Sequence, residues 1–138
     1  MKLIILCLFL TGCAYNAPTQ SQKVYSKQAS SDSQKQAAIV LVNKGFSLTS
    51  NANGIISTAP KVVKLNSKQA DCGNIWGFPY IDDKRTIIKL SYSVTFLNSK
   101  MTVTTNINGT FNAIAEGGSK TLVCSSNGTL EQELLNLI

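Results

Sequence analysis

The sequence predicts an α+β fold: an antiparallel sheet of four to six strands, with an N-terminal helix and a short C-terminal helix packed on one face. Two observations carry this. Residues 88–96 alternate apolar and polar side chains, and 101–108 keep the same period with Met101, Val103, Thr105 and Ile107 on one side and Thr102, Thr104, Asn106 and Asn108 on the other, the period of half-buried strands. Helical spacing occurs only before and after the run of strands, near 32–44 and 129–138. Helices segregated in this way belong to a sheet covered on one side, not to alternating β-α-β units. The other face is then expected to be wet.

Taken in order, the chain opens with Lys2 and an unbroken apolar run over residues 3–10. A spanning helix needs about 20 apolar residues, so this run is too short to cross a bilayer. It fits the apolar region of a secretory signal. Leu10-Thr11-Gly12-Cys13 follows. The segment resembles the lipobox of bacterial lipoproteins; the other reading is a short core strand with a free cysteine. The resemblance implies a signal peptide over 1–12 and a diacylglyceryl thioether on Cys13, with an added N-acyl chain such as palmitate. At about 0.8 kcal/mol per buried CH₂, one chain binds marginally and two or more hold a protein on the membrane. Ala14 stands where an aspartate would imply inner-membrane retention. The implied place is therefore the outer membrane, facing the periplasm.

Removing residues 1–12 from the 138 leaves a chain of 126, enough for one domain and a tether. Residues 13–23 read as a flexible tether and 24–138 as a single α+β domain. Twelve basic residues then oppose seven acids, and they are dispersed along the chain. A nucleic-acid binder would carry a dense basic stripe, so no nucleic-acid partner is expected. Histidine is absent. That excludes Ser-His-Asp and Cys-His sites and removes the commonest metal ligand. The expectation is a non-enzyme with no cofactor and no metal.

Val24 and Tyr25 read as the start of a short strand. Helix one runs roughly 32–44, with Ser31, Asp32 and Ser33 as N-cap candidates and Ala38, Leu41 and Val42 on its apolar face, and Gly45 fits the position just past its end. Phe46 and Leu48 begin a strand that turns at 51–54 and returns over 55–58, to be ended by Pro60. Residues 61–65 extend it or start another. Residues 66–84 have no periodicity and read as a long loop, the kind that is functional or mobile. The two alternating strands follow, joined by a turn at Asn98-Ser99, with Gly109 as a candidate bulge. Gly117-Gly118 is a further turn, and 121–124 a last strand. Thr129 and Gln132 form a capping-box pattern. Leu130, Leu134 and Leu137 give the final helix its apolar face, and Glu131 and Glu133 sit in its first turn, where the helix dipole favours acids.

Cys72 and Cys124 remain in the mature domain. In an oxidising compartment they are expected to form a disulfide; two buried free thiols or a metal site are the other readings. Asp82-Asp83-Lys84 lacks the ligand spacing of a calcium loop and reads as a solvated turn. Trp76, Phe78 and Tyr80 alternate inside the long loop. They read either as an exposed aromatic anchor for a partner or as a lid folded over the core.

The lipobox, the helix with its GFSLTSNANGIISTAP continuation, the long hairpin and the ending VCSSNGTLEQELLNLI resemble small bacterial lipoproteins. They also resemble the helix-grip domains of envelope assembly lipoproteins such as the outer-membrane assembly factor BamC. The implied function is a lipid-anchored, non-enzymatic accessory or assembly factor that binds an envelope protein. The alternative is a binder of an envelope ligand such as lipid, peptidoglycan or lysozyme. A complete polar sheet face would favour the first, and a deep apolar cavity between helix one and the sheet the second.

Overall fold

The computed structural model describes residues 15–18, 23–113 and 117–138. The segment read as a signal peptide, residues 1–12, and the expected lipidation site Cys13 lie outside the described residues. In chain order the elements are β1 (Tyr15–Asn16), β2 (Tyr25–Gln28), α1 (Ser33–Asn43), β3 (Leu48–Ala52), β4 (Ile55–Thr58), β5 (Lys61–Val63), β6 (Ala70–Asp71), β7 (Asn74–Ile75), β8 (Phe78–Pro79), β9 (Thr86–Leu97), β10 (Lys100–Ala113), β11 (Gly118–Ser126) and α2 (Thr129–Leu137). Among the described residues the class is α+β, with one large antiparallel sheet and two α-helices.

That sheet has eight strands, more than the four to six expected. They occupy six positions across it. β4 and β5 lie end to end along one edge of β9, and β11 and β2 share the far edge of β10. Of the short strands, β2 begins where a strand was expected at Val24–Tyr25 and β5 lies within 61–65, whereas β6 falls in the segment read as a loop. Two residues carry no alternation to read; the long neighbour imposes its extended shape.

The long hairpin is the spine. β9 and β10 pair without a slip from Lys100↔Leu97 to Phe111↔Thr86. Asn98 and Ser99 form the two-residue turn, both at positive φ (50° and 56°), which matches the twist of the strands. Gly109 is therefore not a bulge. It faces inward, where an added Cβ would lie 3.1 Å from Leu122, 3.2 Å from Ile88 and 3.4 Å from the Cys124 sulfur. Its small size admits those side chains.

Helix α1 stops at a glycine for a visible reason. Gly45 (φ 79°) takes the left-handed conformation. Its N–H donates to the Val42 carbonyl at 2.8 Å, and the Phe46 N–H donates to Leu41 at 3.0 Å. This pair of bonds is the Schellman ending. Lys61 reaches over from β5 to donate to the Lys44 carbonyl at 2.7 Å. Phe46 then meets Tyr92 edge to face, with centroids 5.1 Å apart.

The inner face presents Ile88, Leu90, Tyr92 and Val94 from β9 and Met101, Val103 and Ile107 from β10, all buried. Ala37, Ala38 and Leu41 of α1 and Leu130, Leu134 and Leu135 of α2 belong to the same core. Each fully buried aliphatic side chain contributes about 1.5–3 kcal/mol. Two helix-face expectations are corrected. Val42 and Leu137 point to solvent, while Ala37 and Leu135 are buried in their place. Each helix packs on the strands, α1 on β3 and β4 and α2 on β10 and β2, and the two helices also touch one another.

Candidate functional site

Residues 64–85 add Leu65, Ala70, Cys72, Tyr80 and Ile81 to the same core as the helices. The segment is not a featureless loop. Cys72 is bonded to Cys124, with the Cα atoms 4.1 Å apart, and β6 pairs with the end of β11 at Ser125↔Asp71. Asp71 accepts a hydrogen bond from the Gly73 N–H at 2.8 Å and Asp82 accepts one from Ser67 at 3.1 Å. Asn127 donates from its backbone to Gln69 and from its side chain to Ser67, both at 3.0 Å. Each acid of the segment thus fastens backbone. Asp83 bonds the Arg85 guanidinium at 2.7 Å. That hydrogen bond, with a second from the Arg85 backbone, holds its carboxyl down at about 2.

The three aromatics of the segment separate. Tyr80 is buried (3 % exposed), stacked edge to face on Phe111 at 4.9 Å. It is part of the lid, so it leaves the group of expected partner-binding residues. Trp76 and Phe78 are 80 % and 76 % exposed. They flank the tip of a separate three-stranded ribbon of β1, β7 and β8. Trp76 (φ 56°) and Gly77 (φ 82°) make its two-residue turn. Asn or Gly commonly holds the first position of such a turn, and a bulky residue there is strained. The tether read over 13–23 is thus paired at its start, Tyr15↔Ile75 and Asn16↔Asn74.

The outer face of the main sheet carries Ser91, Ser93 and Thr95 from β9 and Thr102, Thr104, Asn106 and Asn108 from β10, exposed or half-buried. One row crosses four strands as Val62, Lys89, Asn108 and Val123, in register. Its two ends are 62 % and 70 % exposed valines. A hollow of about 560 Å³ at the surface beside β5 is lined by residues that include Val62, Leu65, Ile81 and Asp83. The space between α1 and the sheet is filled by Ala37, Leu41, Phe46, Ile56 and Tyr92, all buried.

A buried polar cluster was not legible in the sequence. Glu131 sits in the first turn of α2 as expected, but it is fully buried. Its carboxyl accepts from the Thr105 hydroxyl and, at 2.6 Å, from Ser126. Ser126 in turn accepts from the Gly128 N–H at 3.0 Å. The capping box is corrected by this arrangement. Gly128, not Thr129, is the N-cap; it takes φ 96°, and a Cβ there would run into the Tyr25 ring. Burial, then the charges of Glu131 and Glu133, push the Tyr92 hydroxyl well above its ordinary range. The hint available in the sequence was Thr105 itself, a hydroxyl in the inward register of an otherwise apolar strand face.

Among the described residues no helix is long and apolar enough to cross a membrane, and no group of three His, Cys, Asp or Glu side chains gathers in metal-binding distance. No protein-family model, curated protein or solved structure matches the chain.

Proposed function

We propose that the protein is a lipid-anchored lipoprotein of the bacterial envelope that holds an envelope protein partner on the outer face of its sheet. It works without catalysis, cofactor or nucleic acid. The anchor is the lipid on Cys13, in the outer membrane facing the periplasm. The observation that supports the docking reading is the Val62–Lys89–Asn108–Val123 row. Both helices and segment 64–85 pack on the inner side, and a broad face of mixed polar and apolar side chains remains uncovered. Interfaces of ordinary size have that mixed composition. The filled space behind α1 argues against an internal ligand site.

Photo-crosslinking in intact cells tests this. Crosslinkers at Asn106 and Val123 should capture one and the same protein, and a crosslinker at the exposed Gln36 of α1 should not. Capture of glycan or lipid from the outer face, without protein, would overturn the reading in favour of an envelope-ligand binder.

A further inference from the structure

The ribbon of β1, β7 and β8 stands apart from the main sheet and exposes the chain's only tryptophan. Its strand directions carry information. Asn16 pairs with Asn74 and Tyr15 with Ile75. Stepping back along β1, from Asn16 to Tyr15, therefore runs beside the step from Asn74 to Ile75, toward Trp76 and the tip. Ala14 and Cys13 come next in the chain. Two residues reach about 7 Å at full extension. With a paired-strand separation of about 5 Å and one Cα step more, chain connectivity alone limits the distance from residue 13 to Trp76 to about 16 Å between Cα atoms. On the lipid-anchored reading, the attachment point is therefore tied to within that reach of the aromatic tip.

We propose that Trp76 and Phe78 seat the tip of this hairpin in the interface of the phospholipid bilayer that carries the anchor, so that the lipid and two aromatic side chains hold the domain jointly in one orientation. The inference rests on the lipid-anchored reading above. Tryptophan concentrates at membrane–water interfaces because its ring is apolar and its N–H polar. A membrane fits the tip better than a second protein does. Two aromatic side chains cover about 400 Å², roughly half of what each partner contributes to a standard protein interface. The contact is apolar. No Lys or Arg occurs between Lys68 and Lys84, so anionic lipid is not required.

The strain at Trp76 belongs to the same picture. The first turn position (φ 56°) suits Asn or Gly, yet the largest side chain occupies it. The opposite use of aromatics is seen two residues beyond Phe78, where Tyr80 is packed in the core.

The single tryptophan is its own probe. Full-length protein purified from membranes is reconstituted into zwitterionic phosphatidylcholine vesicles, with and without bromine on the acyl carbons nearest the headgroup. Trp76 emission should shift to the blue, and the shallow bromines should remove about half of it, as expected for a group roughly 5–10 Å into the headgroup–acyl boundary. Phe78→Ser, at an exposed position that the core does not use, should restore most of the lost emission. Neither result should change with salt. Intact mass of the same sample separates the two ideas. A lipid-modified Cys13 with unquenched, water-like Trp76 emission would overturn the seating of the tip and leave the anchor standing. Unmodified Cys13 would overturn both. Quenching only on anionic vesicles and only at low salt would also overturn the proposal, by assigning the contact to lysines elsewhere.

Discussion

The β9–β10 hairpin and segment 64–85 border the same core, yet they are held in opposite ways. The hairpin is organised by its own side-chain period: each inward residue of one strand meets an inward residue of the other, as in Val103↔Val94 and Ile107↔Leu90. Segment 64–85 has no period. A disulfide, a two-residue strand pairing and hydrogen bonds to residues 60 and 61 positions away hold it. Local pattern suffices where a chain folds on a neighbour in sequence. Where it folds on a distant strand, covalent and polar ties do the work that period does elsewhere.

The sharpest way to break the contrast is to cut the covalent tie. The bridge closes a loop of 52 residues. Replacing both Cys72 and Cys124 by Ser should lower stability by about 4 kcal/mol in urea unfolding, on the chain-entropy account. Hydrogen exchange should accelerate through 66–84 and leave 88–111 protected. Equal loss of protection in both regions would show that the hairpin depends on the bridge as well.

A smaller effect probes the hairpin side. Thr105 of β10 and Ser126 of β11 both donate to Glu131. Glu131→Ala removes their shared acceptor and leaves space in the core. Stability should fall by about 3 kcal/mol. Glu131→Gln keeps the shape and one acceptor and should cost about 1 kcal/mol. If Ala and Gln behave alike, the cluster does not fasten α2 to the sheet.

The smallest effect has the opposite sign. Trp76→Asn places a residue suited to φ 56° at the hairpin tip. Thermal unfolding of this variant should show a gain of about 1 kcal/mol, the strain it relieves. A loss would mean that the exposed indole packs on the domain and is not free for another surface.

The contrast also marks how much could be read in advance. The inward residues of β9 and β10, the turn at Asn98-Ser99, the glycine ending of α1 and the pairing of Cys72 with Cys124 were all legible. So was the presence of an aromatic cluster at 76–80. The division of that cluster was not. Trp76, Phe78 and Tyr80 alternate, which would place all three on one face of a strand. The chain instead turns at Gly77 and enters a single 3-10 turn at Tyr80–Asp82, so the third ring swings into the core. The cap of α2 was misread for a similar reason. Thr129 has the right chemistry, but it is already the first helical residue, and Gly128 at φ 96°, where the Tyr25 ring leaves no room for a Cβ, is the cap.

By itself the sequence determined the fold class, the spine of the sheet and the absence of histidine chemistry, and it carries a lipobox-like motif at residues 10–13, because each is written in local period, composition or a short contiguous motif. The tertiary structure decided which aromatic is exposed, that Glu131 is buried between two hydroxyls, and that β1 runs alongside β7 toward the Trp76 tip. Those outcomes depend on residues distant in the chain coming within a few ångströms of one another, and no local pattern encodes such a meeting.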